Sequence, residues 1–130
     1  MMEEYYEMNN YEFVDWSAAE NFDEIIENTH MGKIWMISFT NQTIGYLIFT
    51  FGYSFEHGGR DASIDELFLK KEYRNKGFGT LILETLDFFA HKHNVKAIHL
   101  KVENTDSSAN QLYLKAGYTK NRRHLLTKTI

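Results

Sequence analysis

The chain has no cysteine and no proline among its 130 residues. Without cysteine, disulfide staples, thiolate nucleophiles and Cys-ligated metals are excluded, and a reducing cytoplasm is compatible. Without proline one kind of boundary marker is missing, and no repeat, linker or low-complexity stretch divides the sequence. No run of about 18 apolar residues occurs, and the opening MMEEYYEMNN is acidic and polar rather than basic then apolar, so neither a membrane span nor a signal peptide is expected. Excess positive charge is lacking too, the net charge being −4. That disfavours broad nucleic-acid binding through the phosphate backbone, although basic patches stand at Lys70 to Lys76 and Lys120 to Arg123. What remains is 43% hydrophobic and 25% charged, enough to bury a core. One globular domain over residues 1–130, in the cytoplasm, is the expectation.

The order of elements carries the next layer of information. Residues up to Asn9 read as a short helix, and Asp15 or Ser17 can cap a second one running to Thr29, with Ala18, Phe22, Ile25 and Ile26 on one face. Two β-rich runs, Ile34 to Phe39 and Ile44 to Tyr53, flank a polar Asn41-Gln42 turn and suggest an antiparallel hairpin. After the Gly58-Gly59 turn come a strand over Ala62 to Leu69 and a helix from Phe78 to Asn94 with the stripe Phe78, Leu81, Ile82, Leu86 and Phe89. Ala97 to Val102 alternates like a strand with one preferred face. Asp106 can then cap a helix bearing Ala109, Leu112, Tyr113 and Ala116, ended by Gly117, and a final hairpin is expected near Tyr118 and His124 to Ile130. This is a mixed α/β order, in which strand 62–69, helix 78–94 and strand 97–102 form a βαβ unit with parallel strands.

Within the third strand the apolar phase flips. Ala62 and Ile64 share one parity and Leu67 and Leu69 the other, so a bulge at Asp65-Glu66 is favoured over a strand simply buried on both faces, which Phe68 would suit. Bulges re-aim side chains.

The stretch DELFLKKEYRNKGFGT then places strand, basic turn and long helix in succession. Backbone N–H groups at a helix start have no intrahelical partner and meet the positive end of the macrodipole, so phosphate oxygens bind there. Gly77 and Gly79 would let backbone approach a pyrophosphate, while Arg74 and Lys76 add charge. A phosphorylated cofactor is the implied ligand. The bland alternative is a Gly-rich turn capping a helix beside two solvated cations.

Two separated segments, IDELFLKKEYRNKGFGTLIL and NQLYLKAGY, resemble the GNAT superfamily of acetyl-CoA-dependent N-acetyltransferases. The resemblance implies a GNAT-like α/β fold of the α+β kind: a central mixed sheet with a splayed parallel pair and flanking helices. Members usually begin with a strand, for which only Tyr11 to Val14 stands here, so the sheet is expected to lack its first edge strand and to need cover from a partner chain, as in a homodimer, or from the terminus. The implied reaction is direct attack of an amine, small-molecule or protein, on acetyl-CoA in a ternary complex. Asn75, Lys76, Gly77, Phe78, Gly79 and Thr80, with Arg74, match the pyrophosphate loop, and Leu67, Phe68 and Leu69 match the segment whose backbone pairs with the pantetheine arm. Tyr113 matches the tyrosine that protonates the departing thiolate, against the plain reading of a core residue at helical spacing. Asp106 stands where many members place a cofactor-contacting Asn, and can equally be only an N-cap. No metal is implied.

An alkylammonium must lose a proton before it attacks, and a carboxylate whose pKa burial has raised can take it. Asp65 and Glu66 are the candidates, undecided between them, with Asp61, Glu56 and His57 behind. A solvated acid pair on an edge is the plain alternative. A non-catalytic acyl-CoA-binding module is the competing function; a nucleotide-binding domain is disfavoured because the βαβ unit sits mid-chain without flanking parallel strands.

Overall fold

The computed structural model describes residues 1–12, 14–103 and 107–130. Two helices open the chain, α1 (Met2–Met8) and α2 (Asp15–Glu27), followed by the strands β1 (Gly32–Phe39), β2 (Gln42–Ser54) and β3 (Gly59–Leu69). A short 3₁₀ turn at Lys71–Tyr73 leads into α3 (Phe78–Lys92), then β4 (Ala97–Leu100) and α4 (Ser107–Lys115). Among the described residues the strands make one sheet in the order β1-β2-β3-β4. The first two pairings are antiparallel and β3 with β4 is parallel, as a crossover through α3 requires.

The pleat divides the sheet into two covered faces. Leu47, Phe49, Ala62 and Ile64 meet Leu83 and Leu86 of α3, with Leu112 and Tyr113 of α4 packed alongside. Tyr46, Ile48 and Phe68 point the other way, under Met2 and Tyr5 of α1 and Phe22 and Ile25 of α2. Phe49, Phe68, Ile44 and Leu83 are the largest fully buried side chains. Burial of this kind, at about 25 cal/mol per Å² of apolar surface, is what holds the layers together.

Several local expectations are corrected. The β1–β2 turn is Thr40-Asn41, one residue earlier than Asn41-Gln42; both residues have positive φ, as a two-residue type I′ turn demands. Val14, extended at φ −124, precedes α2 with no side-chain cap, so Asp15 serves the first turn by its charge instead. Ile26 is 63% exposed and Leu81 59%, because α2 and α3 turn Phe22 and Ile25, and Leu83, Leu86 and Ala90, toward the sheet. Residues 118–130 carry no strand, so the closing hairpin is absent; Leu126 is 92% exposed there, without the buried face that would reward pairing. Among the described residues no strand lies between α1 and α2 either, which leaves β1 as an edge of the sheet.

Candidate active site

The bulge in β3 organises the site. Ile48 pairs with Glu66 while Phe49 pairs with Ile64, so Asp65 is the extra residue. The insertion puts Ile64 and Leu67 on the α3 face together and turns Glu66 and Phe68 toward α1. The strand is therefore bulged and buried on both faces at once, and the two alternatives read from the sequence were not exclusive.

The same bulge separates the two acids. Asp65 is exposed, whereas Glu66 retains 7% exposure. Tyr46 donates its hydroxyl to Glu66 Oε2 at 2.7 Å, and Tyr6 of α1 gives a second hydrogen bond to the same carboxyl. Burial pushes the Glu66 carboxyl above its ordinary range; the tyrosine hydrogen bonds pull back, and Asp65 adds a smaller upward push. The phenols respond in kind. Burial and then Glu66 push Tyr6 up to about 12, while Tyr46 and Tyr5 go higher still, so all three remain neutral donors at physiological pH. Their rings pack edge to face, Tyr5 on Tyr6 at 5.9 Å and Tyr5 on Tyr46 at 6.3 Å between centroids. A buried acid under a tyrosine roof is a proton acceptor kept from bulk water.

Tyr113 approaches from α4. It is half-buried, packed beside Leu112 on the α3 face, its ring 5.7 Å from that of Tyr118. Tyr113 thus packs on the α3 face of the sheet, whereas Glu66 turns to the α1 face, toward Tyr46 and Tyr6. Tyr118 lies behind Tyr113 with a buried hydroxyl oxygen that has no hydrogen-bond partner among the described residues. Burial, then Asp87 and Tyr113, raise its pKa.

Beyond Ile64 and Leu100 the parallel pairing ends, so past the bulge β3 is paired with β2 and no longer with β4. Lys70 donates its N–H to Ile44 O across β2. Strand alternation then turns the backbone of Leu67 and Leu69 toward the β4 side and that of Phe68 toward β2. Leu67 keeps main-chain groups at the splay. Phe68 contributes its side chain, stacked on Tyr46 at 5.7 Å.

The loop that follows has the torsions of an anion cradle. Asn75 has φ 57 and Gly77 φ 86, the latter standing as α3's N-cap without a side-chain hydrogen bond. The N–H groups of Phe78, Gly79 and Thr80 thus start the helix without intrahelical acceptors. No atom lies within 4 Å of where a Cβ would stand on Gly77. Gly79 differs: a Cβ there would meet Leu112 Cδ2 at 2.8 Å, so its bareness also serves α3–α4 packing. Phe78 is braced between Phe39 and Tyr73, at 5.0 and 6.0 Å. Lys76 and Thr80 are exposed. The Arg74 guanidinium is engaged by its neighbours: its Nε donates to Leu69 O at 2.7 Å and its Nη2 to Met8 Sδ at 3.3 Å.

Asp61, Glu56 and His57 gather at the other end of β3. Asp61 lies 3.3 Å from His99 Nε2, the His57 and His99 rings are 5.4 Å apart, and Arg123 holds the Glu56 carboxyl below its usual range through a 2.6 Å contact. None joins the Glu66 cluster. Asp106 lies outside the described residues. Among those residues no group of three or more His, Asp or Glu is placed to hold a metal. An apolar groove of about 380 Å³ between β1, β2 and α3, lined by Trp35, Phe39, Leu47 and Phe89, offers neither acid nor base. Sequence reasoning missed Tyr5, Tyr6 and Tyr46, whose signal is the alternation that puts Tyr46 and Phe68 on one face.

The profile of the acetyltransferase (GNAT) family matches residues 1–118. No curated protein sequence matches the chain. Among solved structures, an integron cassette protein from the mobile metagenome of Cole Harbour Salt Marsh is 26% identical, with a TM-score of 0.87 over 99% of this chain and 80% of that one. A possible acetyltransferase from Clostridium difficile 630 is 17% identical, with a TM-score of 0.81 over 96% of this chain and 83% of that one. An aminoglycoside acetyltransferase from an uncultured soil metagenomic sample, solved with sisomicin, is 15% identical, with a TM-score of 0.77 over 99% and 82%. At those last two identities the likeness concerns the fold alone.

Proposed function

The chain belongs to the acetyltransferase (GNAT) family, and we propose that it transfers an acetyl group from acetyl-CoA to a primary amine within a ternary complex. The observation that carries this reading is Glu66: a buried, tyrosine-held acid with a raised pKa, on a bulge beside the splay of β3 and β4. Acetyl-CoA, when bound, supplies the activated thioester. The residues present suit it. The N–H groups of Phe78, Gly79 and Thr80, the open space before Gly77 and the exposed Lys76 offer a pyrophosphate site, and Leu67 offers main-chain groups to an extended arm.

Glu66 then takes the proton of the incoming ammonium. Burial makes it a better base than an exposed carboxylate, and the Tyr46 and Tyr6 hydroxyls hold its orientation. Asp65, exposed beside it, adds negative charge that draws a cationic amine toward the mouth. Glu12, which lines a small recess with Tyr6, adds to the same field. Tyr113 holds a phenolic proton for the departing thiolate.

The test is CoA release from acetyl-CoA with a panel of amines: spermidine, an aminoglycoside, lysine and a peptide with a free N-terminus. Wild type should turn over at least one of them. Tyr113→Phe should lose about a hundredfold or more in kcat while binding acetyl-CoA unchanged. Equal turnover in the variant removes the acid role. Binding without turnover on every amine would point instead to a non-catalytic acyl-CoA-binding module.

A further inference from the structure

We infer that Arg74 is a positioning residue of the acceptor side, a clip that seats α1 over Glu66 and couples it to the pyrophosphate loop, rather than a phosphate ligand. This rests on the proposed amine-acetylating function and adds to it a link between the two substrates' sites.

The geometry of the guanidinium is the starting point. Nε donates to Leu69 O at 2.7 Å, Nη2 reaches Met8 Sδ at 3.3 Å, and Cζ stands 5.4 Å from the centre of the Phe68 ring. Two nitrogens and one face are thereby committed to the end of β3 and the end of α1.

Helix α1 needs such a clip. It has only seven residues and buries none of them fully; helices shorter than about 12 residues are marginal alone. Its first turn carries Glu3 and Glu4, but its last turn has no basic residue. Arg74 brings the missing cation to the C-terminal end, where the helix dipole favours it. What α1 carries makes its seating matter: Tyr6 hydrogen-bonds Glu66, and Tyr5 packs on Tyr46. Loosening α1 therefore exposes the base and removes one of its orienting donors.

Arg74 also directly precedes Asn75 to Thr80. A pyrophosphate that fixes this loop fixes the guanidinium, and through it Met8 and α1. Acetyl-CoA should accordingly raise amine affinity, and an amine should raise acetyl-CoA affinity by the same factor.

Arg74→Met and Arg74→Lys test the clip. Amide hydrogen exchange of residues 2–8 should speed up about tenfold in both, the scale of a lost charged hydrogen bond, while exchange in β2 stays unchanged. The KM for the best amine of the panel should rise roughly 5- to 20-fold, equally with acetyl-CoA and with acetyl-pantetheine, which has no phosphates. The Kd for acetyl-CoA should move less than about twofold in the Lys variant, since an ammonium keeps the charge but not the guanidinium fork. The opposite pattern overturns the inference: α1 exchange unchanged, Kd for acetyl-CoA raised about tenfold in Arg74→Met and restored by Lys, and no defect with acetyl-pantetheine. Met8→Leu, which keeps volume and removes the sulfur acceptor, should raise amine KM with Kd for acetyl-CoA constant; an unchanged KM also counts against the clip. If wild type acetylates no amine, the proposed function fails, and the exchange and binding arms still decide whether Arg74 seats α1.

Discussion

Replacing Glu66 with glutamine separates catalysis from stability. Glutamine has the same shape and keeps one carbonyl oxygen for the Tyr46 hydroxyl that now stands 2.7 Å from Oε2. Both charge-assisted hydrogen bonds, from Tyr46 and from Tyr6, become neutral ones, at a cost of about 1 kcal/mol each, and this is offset by no longer burying a carboxylate. Thermal unfolding above neutral pH should therefore shift by only a few degrees, about 2–8 °C per kcal/mol at most. The rate should fall far more: removing a general base costs about 10²- to 10⁴-fold, or roughly 3–5 kcal/mol of barrier. A second signature lies in pH. Because burial raises the Glu66 pKa above its ordinary 4.5, between the unfolded and native values the native state holds a proton that the unfolded chain has lost. Stability then falls as pH rises through that window and is flat above it. Glu66→Gln should remove this slope. In activity the sign is opposite: turnover should rise with pH on a limb lying above the ordinary carboxylate range, as the base deprotonates. The assay is CoA release against pH for wild type and variant, with melting curves over the same range. A variant with wild-type kcat and an unchanged pH profile would refute the assignment of Glu66 as base.

Other perturbations address the cradle and the packing behind it. Gly77→Ala forces a Cβ into φ 86, costing about 1–2 kcal/mol by urea unfolding; it also intrudes on the space before α3, so the Kd for acetyl-CoA should rise roughly tenfold in a titration. Gly79→Ala gains helix propensity but meets Leu112 Cδ2 at 2.8 Å, and should be destabilising by about 1 kcal/mol. Leu112→Ala makes room, so the double mutant should be better than additive by at least about 0.5 kcal/mol; zero coupling would refute the packing account. Acetyl-CoA at about a hundred times its Kd should stabilise the native protein by about 2.7 kcal/mol while ATP leaves the melting temperature unmoved; protection by ATP alone would return the loop to a nucleotide.

Much of the fold was local enough to read from the chain. The β-branched and aromatic runs at Ile34 to Phe39 and Ile44 to Tyr53, the glycine turn at Gly58-Gly59, and the strand-loop-helix around Gly77 are each set by neighbours a few residues apart, where local propensity and torsional preference act directly. The phase flip after Ile64 gave away the bulge because parity is a property of the sequence itself. The expected closing hairpin is absent for the complementary reason: a segment such as His124 to Ile130 pairs only where a buried face rewards it, and no strand forms there. Which acid is buried was beyond the sequence, since Asp65 and Glu66 are adjacent and chemically alike. Only the register of β2 against β3, with α1 folded over Tyr46, sends Glu66 inward and leaves Asp65 in solvent. Likewise Arg74 reads as one more cation beside a phosphate loop until Met8, 66 positions away, meets its guanidinium. Local patterning sets most of the elements and the βαβ order, whereas which carboxylate meets which phenol depends on packing, because burial and hydrogen bonding between distant residues exist only once the layers have come together.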